Sequence, residues 1–153
     1  MRRHLSFTVP GVEGQRRPRV RKQGRAVQVY KASADRKREK DIRELFEAAC
    51  KAAYGRILTA PAGTPVRVSI AAARDVRSDL RKRDGDLQPD TSTPDADNLA
   101  KSVLDALNRD KDHPEEHPGA WMDDAQVDEL HVYKLMRERG ADARTLINIE
   151  WED

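Results

Sequence analysis

Asp95 and Asp97 stand one residue apart where a loop turns into a helix, and a second acidic pair, Asp123-Asp124, stands at the opening of a strand. Lys101 lies one turn further into the helix. If these groups act together, the fold must bring the mouth of that helix and the start of that strand to one place. The rest of the chain can be read around this requirement.

Leu5-Ser6-Phe7-Thr8-Val9 alternates apolar and polar residues as a short strand, stopped by Pro10-Gly11. From Gly14 to Arg25 the chain is basic and punctuated by Gly and Pro, which predicts a loop carrying Arg16, Arg17, Arg19, Arg21, Lys22 and Arg25. Arginine's planar donor fork suits such a loop to phosphate contacts. Ala26 to Tyr30 reads as a further short strand. Ser33 is the expected N-cap of a long helix to about Tyr54, with Gly55 as its stop. Its buried stripe is Ile42, Leu45, Phe46, Ala49 and Ala53, with Cys50 beside it, and the opposite face, with Arg36, Lys37, Lys40 and Arg43, stays in solvent or meets a polyanion.

Pro61 to Thr64 is a turn. Val66, Val68, Ile70 and Ala72 then alternate as a half-buried strand. Residues 77–94 lose periodicity and form a loop into Asp95. A helix from about Asp97 to Asn108 follows, with Leu99, Val103, Leu104 and Leu107 on its core face and Asp97 placed to cap it or lie in its first turn. Arg109 to Ala120 is a polar loop, Gln126 to Met136 a strand, Gly140 a turn, and Arg144 to Trp151 a strand with Ile147, Ile149 and Trp151 on one face. The last two strands are expected to pair as an antiparallel hairpin. The order predicts a single α+β domain over residues 1–153: a small mixed β-sheet with two main helices packed against one face.

Charge is unevenly divided. The net charge is +2, yet residues 1–40 carry a balance of +10 and residues 41–153 one of −8. A basic front on an acidic body suggests an arm for a polyanion attached to a centre for a cation. The single cysteine rules out an internal disulfide and fits a reducing, cytoplasmic setting. No apolar run reaches the ~20 residues of a membrane span, so no membrane partner is expected. Cys50 reads as a small core residue rather than a nucleophile, since nothing local would lower its pKa.

Several metals can be tested against the pattern. A calcium loop of the EF-hand type starting at Asp95 would need glycine at its sixth position and glutamate at its twelfth, where Ala100 and Ala106 stand. His113 and His117 have the spacing of a helical zinc pair, but Pro114 and Pro118 exclude the helix. Magnesium fits better, because it takes a few carboxylates and completes its shell with water and phosphate oxygens. Three carboxylates from the two segments, with Lys101, form a set suited to metal-assisted phosphodiester hydrolysis, with magnesium (or manganese) bound and lysine on the phosphate.

Asp95-Ala-Asp97-Asn98-Leu99-x-Lys101-x-x-Leu104-Asp105-Ala106-Leu107, followed by Asp123-Asp124-Ala125-Gln126-Val127, closely resembles the RusA family of Holliday junction resolvases. Pro10-Gly11 and the Arg16-Arg17-Pro18-Arg19 stretch leading to Val29-Tyr30 also resemble it. The resemblance implies a small homodimeric, magnesium-dependent endonuclease that resolves four-way DNA junctions in recombination and repair. It implies Asp95, Asp97 and Asp124 as the essential acidic residues and Lys101 as the functional lysine, with Asp105 and Asp123 in support. The loop from Arg109 to Ala120 departs from the family pattern, being longer and more acidic. Two other readings stay open: a non-catalytic DNA-binding protein using the basic stretch, and a nuclease for flaps or other branched DNA.

Overall fold

The computed structural model describes residues 1–15, 19–30, 33–74, 88–91, 93–136 and 142–153. Strand β1 (Arg2–Pro10) is followed by β2 (Arg19–Gln23), β3 (Ala26–Tyr30), helix α1 (Ser33–Tyr54), β4 (Val66–Arg74), the two-residue β5 (Gln88–Pro89), helix α2 (Ala96–Leu107), β6 (Val127–Met136) and β7 (Arg144–Glu152). The main sheet has the order β1-β7-β4-β6-β5, while β2 and β3 form a separate two-stranded sheet. β4 runs parallel to β6 and antiparallel to β7, so the sheet is mixed and the fold is α+β, as the sequence predicts.

The expected hairpin of the last two strands does not form. β4 lies between them, with Val68 opposite both Leu130 and Ile149. Alternation shows which face of a strand is buried, but not which strand lies beside it. β4 is apolar along its buried face and takes the centre, while β1 pairs with β7 from Arg2↔Glu152 to Pro10↔Arg144.

Leu5, Phe7 and Val9 of β1, Val66, Val68 and Ile70 of β4, and Ile147, Ile149 and Trp151 of β7 point to one side, where the helices cover them. α1 contributes Ile42, Phe46 and Cys50, and α2 contributes Val103, Ala106 and Leu107, to the same buried cluster. Phe7 and Phe46 meet with ring centroids 6.1 Å apart. Ala53, expected on the buried stripe, is exposed; the stripe continues from Cys50 to Tyr54, which packs against the core and bonds the His4 backbone of β1 through its hydroxyl. Gly55 ends the helix with φ +73°, a conformation that favours glycine.

Sequence reasoning put Arg43 on the solvent face; instead it is half-buried and pairs with Asp110 at 3.5 Å. Arg36, Lys37 and Lys40 are exposed as expected. The stretch read as a loop from Gly14 to Arg25 also differs: Arg19–Gln23 is a strand whose Val20 faces Val29. Gly24 takes φ +58° in the two-residue turn before Ala26, as the first position of a tight hairpin requires. Its density of positive charge had concealed this alternation. The predicted turn at Gly140 and most of the loop over residues 77–94 lie outside the described residues.

Candidate active site

Two fastenings aim the start of α2. Arg74, at the end of β4, forms an ion pair with the buried Asp90 at 2.6 Å and donates a hydrogen bond to the Thr93 carbonyl. Asp90 N–H donates to the Lys134 carbonyl of β6 at 2.9 Å. The chain thus enters the helix from a point tied to two strands. Asp95 is the N-cap, so Asp97 lies inside the first turn. The Asp95 side chain makes no capping hydrogen bond, although an aspartate in that position ordinarily accepts one from the first turn. Its carboxylate is exposed, as are those of Asp97 and the ammonium of Lys101 one turn on, while Asp105 is half-buried.

The second acidic pair belongs to a 3₁₀ turn, Asp124–Gln126, inserted ahead of β6. Asp123 caps it by accepting the Ala125 N–H at 2.8 Å. Gln126 anchors it, donating to the carbonyls of Pro61 at 2.8 Å and Thr64 at 3.1 Å and accepting the Met122 N–H at 2.9 Å. Trp121 is fully buried and its indole N–H is shared between Asn108 Oδ1 at 2.7 Å and Asp124 Oδ1 at 3.1 Å. This bond joins the end of α2 to the acidic turn. Burial pushes the Asp124 carboxyl above its ordinary range; the Trp121 hydrogen bond opposes this, and the nearby charge of Asp105 adds to it. Asp105 and Asp124, distant in sequence, therefore share one electrostatic environment.

A third segment was not foreseen. Gln15 N–H donates to the Asn98 carbonyl at 3.0 Å, and its side-chain Nε2 donates to Asp105 Oδ2 at 2.8 Å. Gly14 permits this approach, since a Cβ there would lie 2.6 Å from the Pro94 Cβ. Beside it Arg38 is buried, donating to the carbonyls of Pro10 and Gly11 and to Thr145 Oγ1. Burial pulls its pKa down, with Glu13 opposing. One signal was present in the sequence, because Arg38 precedes Ile42, Phe46 and Cys50 at intervals of four on the buried stripe. A cleft of about 440 Å³ between this segment and Asp95 is lined by Glu13, Gln15, Asp35, Arg38 and Asn98.

The sequence profile described as endodeoxyribonuclease RusA matches residues 10–150. The chain belongs to the RusA family. No curated protein matches it. RusA proteins are endodeoxyribonucleases that act on Holliday junctions, and they generally depend on a divalent metal.

Of the residues expected to meet DNA in this RusA chain, Lys22 and Arg25 are exposed on the β2–β3 hairpin. Arg19 and Arg21 lie on β2, and Arg16 and Arg17 fall outside the described residues. No helix among the described residues is long and apolar enough to cross a membrane. His117 Nδ1 lies 2.7 Å from Glu47 Oε1, and neither His113 nor His117 lies on a helix.

The donor chemistry fits a hard divalent ion: an uncapped Asp95 carboxylate, and Asp124 raised by burial and by its acidic neighbours. Among the described residues, however, no three His, Cys, Asp or Glu side chains form a ready metal cage.

Proposed function

We propose that the chain is a magnesium-dependent, homodimeric endodeoxyribonuclease that resolves four-way junctions by paired symmetric nicks. The observation carrying this reading is the hydrogen-bonded union of α2 with the Asp124 turn through Trp121 and Asn108. It ties the Asp105 end of α2 to the Asp124 turn, while Asp95 and Asp97 stand at the other end of the helix. Asp95, Asp97 and Asp124 would hold the ion, with Asp105 and Asp123 in support. When bound, the ion supplies an activated water and stabilises the leaving oxygen.

The chain's own groups do the rest. Trp121 orients the Asp124 carboxylate by donating to its Oδ1, with the Asn108 side chain also engaging it. Lys101 stands on the same helix face as Asp97 and Asp105, one turn from each, and neutralises charge that develops on the scissile phosphate. Arg16, Arg17, Arg19, Arg21, Lys22 and Arg25 bind the backbone of branched DNA through phosphate contacts. A junction presents two strands at symmetry-related positions, and a single 1–153 domain holds one acidic centre, so a two-fold dimer supplies the second.

The test is to incubate a synthetic four-way junction with and without magnesium and map nicks on all four strands. Paired nicks that require metal and vanish in Asp95→Asn and Asp124→Asn are expected. Parental cutting by either variant would remove the assignment, and a monomer by light scattering with junction bound would remove the dimer.

A further inference from the structure

Beyond the acidic centre, the loop that departs from the family pattern builds a cleft of its own. It is a fastened loop: Arg109 N–H donates to the Trp121 carbonyl at 3.2 Å, Ala120 N–H to the Leu107 carbonyl at 2.8 Å, and Asp110 N–H to the His117 carbonyl at 3.0 Å. Gly119, with φ +72°, lets the returning strand touch the outgoing one. Between this loop and the 3₁₀ turn lies a cleft of about 490 Å³, within the size range of sites that take small organic groups.

Its lining is divided by charge. Asp123 and Asp124 stand on one side, Arg109 and Lys111 on the other, and Pro114 and Met122 give it an apolar wall. Asp110 also borders the cleft, but its carboxylate is engaged by the Asp112 and His113 N–H groups and by Arg43. Among the described residues Arg109 and Lys111 form no ion pair; Arg109 Nη1 rests instead on Met122 Sδ at 3.3 Å. The loop's other acids, Asp112, Glu115 and Glu116, are exposed and do not line the cleft. An acidic loop thus turns a cationic edge toward the reaction centre. Two free cations a short distance from a carboxylate centre suit an anion that bridges them, as one strand of DNA does when its scissile phosphate sits at the carboxylates and the next lies beyond.

We propose that this cleft is a substrate subsite for the nucleotide adjoining the cut, with Arg109 and Lys111 on its phosphate and Pro114 and Met122 against its sugar. The assignment rests on the nuclease reading above. Its test reads binding, without metal, so that it does not depend on cutting. The probe is a synthetic four-way junction in which methylphosphonates neutralise the phosphates flanking the cut one at a time.

In R109A/K111A the slope of log affinity against log salt is expected to fall by about one per protomer, and affinity at moderate salt by roughly tenfold or more. One neutral phosphate next to the cut should weaken the parent severalfold and leave R109A/K111A unaffected. R109K/K111R, which keeps both charges, should bind as the parent does. A parental salt slope in R109A/K111A overturns the proposal. So does a methylphosphonate effect that is as large in the variant as in the parent, because the loss would then come from a disturbed loop. If cutting is absent in the parent while the salt-slope effect appears, the nuclease reading falls and with it the assignment to the nucleotide beside the cut, leaving Arg109 and Lys111 as contacts to the DNA backbone alone.

Discussion

Gln15 reaches across ninety positions of sequence to Asp105, its Nε2 donating to Oδ2 at 2.8 Å. The residue that carries the chain toward its basic hairpin thereby restrains a carboxylate that borders Asp124. Gln15 → Ala should slow cutting at saturating junction by about three- to tenfold, the scale of one hydrogen bond of ~1 kcal/mol. Gln15 → Glu should slow it more, by setting one carboxylate against another. Separate measurement of kcat and KM checks this, since an effect confined to KM would assign the contact to DNA binding.

Asp124 offers a prediction in which stability and activity move in opposite directions. Its carboxyl is raised by burial, so the folded protein holds that proton more firmly than the unfolded chain does. The resulting penalty is absent below the ordinary value of 3.8, grows as pH rises through the folded pKa, and is complete at neutral pH. Metal-free Asp124→Asn should therefore melt higher than the parent at pH 7 and alike at pH 3, while cutting falls by about a hundredfold or more. Calorimetry at the two pH values, beside a nicking assay, reads both.

Arg74→Ala should destabilise the fold by about 2 kcal/mol or more, because it takes the guanidinium away from the Asp90 carboxylate, whose side chain is 2% exposed. Cutting should fall as well, since Thr93 loses its tie to β4. Urea unfolding measures the first effect; if the midpoint does not move, the ion pair does not anchor the approach to α2.

At Gly119 a Cβ would lie 2.6 Å from both Arg109 N and the Leu107 carbonyl oxygen, with φ at +72°. Gly119→Ala should cost about 2 kcal/mol or more, since neither backbone atom has room to retreat. Thermal melting against Gly63→Ala, where φ is also positive but nothing stands within 4 Å, separates crowding from backbone strain.

Cys50 is fully buried and burial raises its thiol pKa. Thiol reagents should label it at a negligible rate in the native protein and completely in denaturant. Rapid native labelling would show that α1 parts from the sheet far more often than the packing implies.

The sequence conveyed local structure well. Ser33 and Gly55 bounded α1, the alternation of Ile147, Ile149 and Trp151 marked the buried face of β7, and Leu99, Val103 and Leu107 marked that of α2. Those signals are set by a few neighbouring residues. The order of strands was not legible, because Val66, Val68 and Ile70 would alternate in the same way at an edge as at the centre. At the candidate site the charged motif stood out, whereas the neutral groups that orient it did not. Trp121, Asn108 and Gln15 act through single hydrogen bonds between remote segments, and no spacing rule marks such a bond in advance.

The pairing of β1 with β7 has a consequence for synthesis. Arg2 lies opposite Glu152, and β4 needs both β6 and β7 as neighbours, so most of the sheet waits for residues made late. Contacts so far apart in sequence slow folding. A ribosome-bound chain lacking residues 144–152 would have neither flank of β7 joined, leaving the Arg74 anchor and the mouth of α2 without a settled support. The acidic segments would then be held in place only after translation has passed β7, and a nascent chain on the ribosome would carry the basic hairpin before those segments had settled.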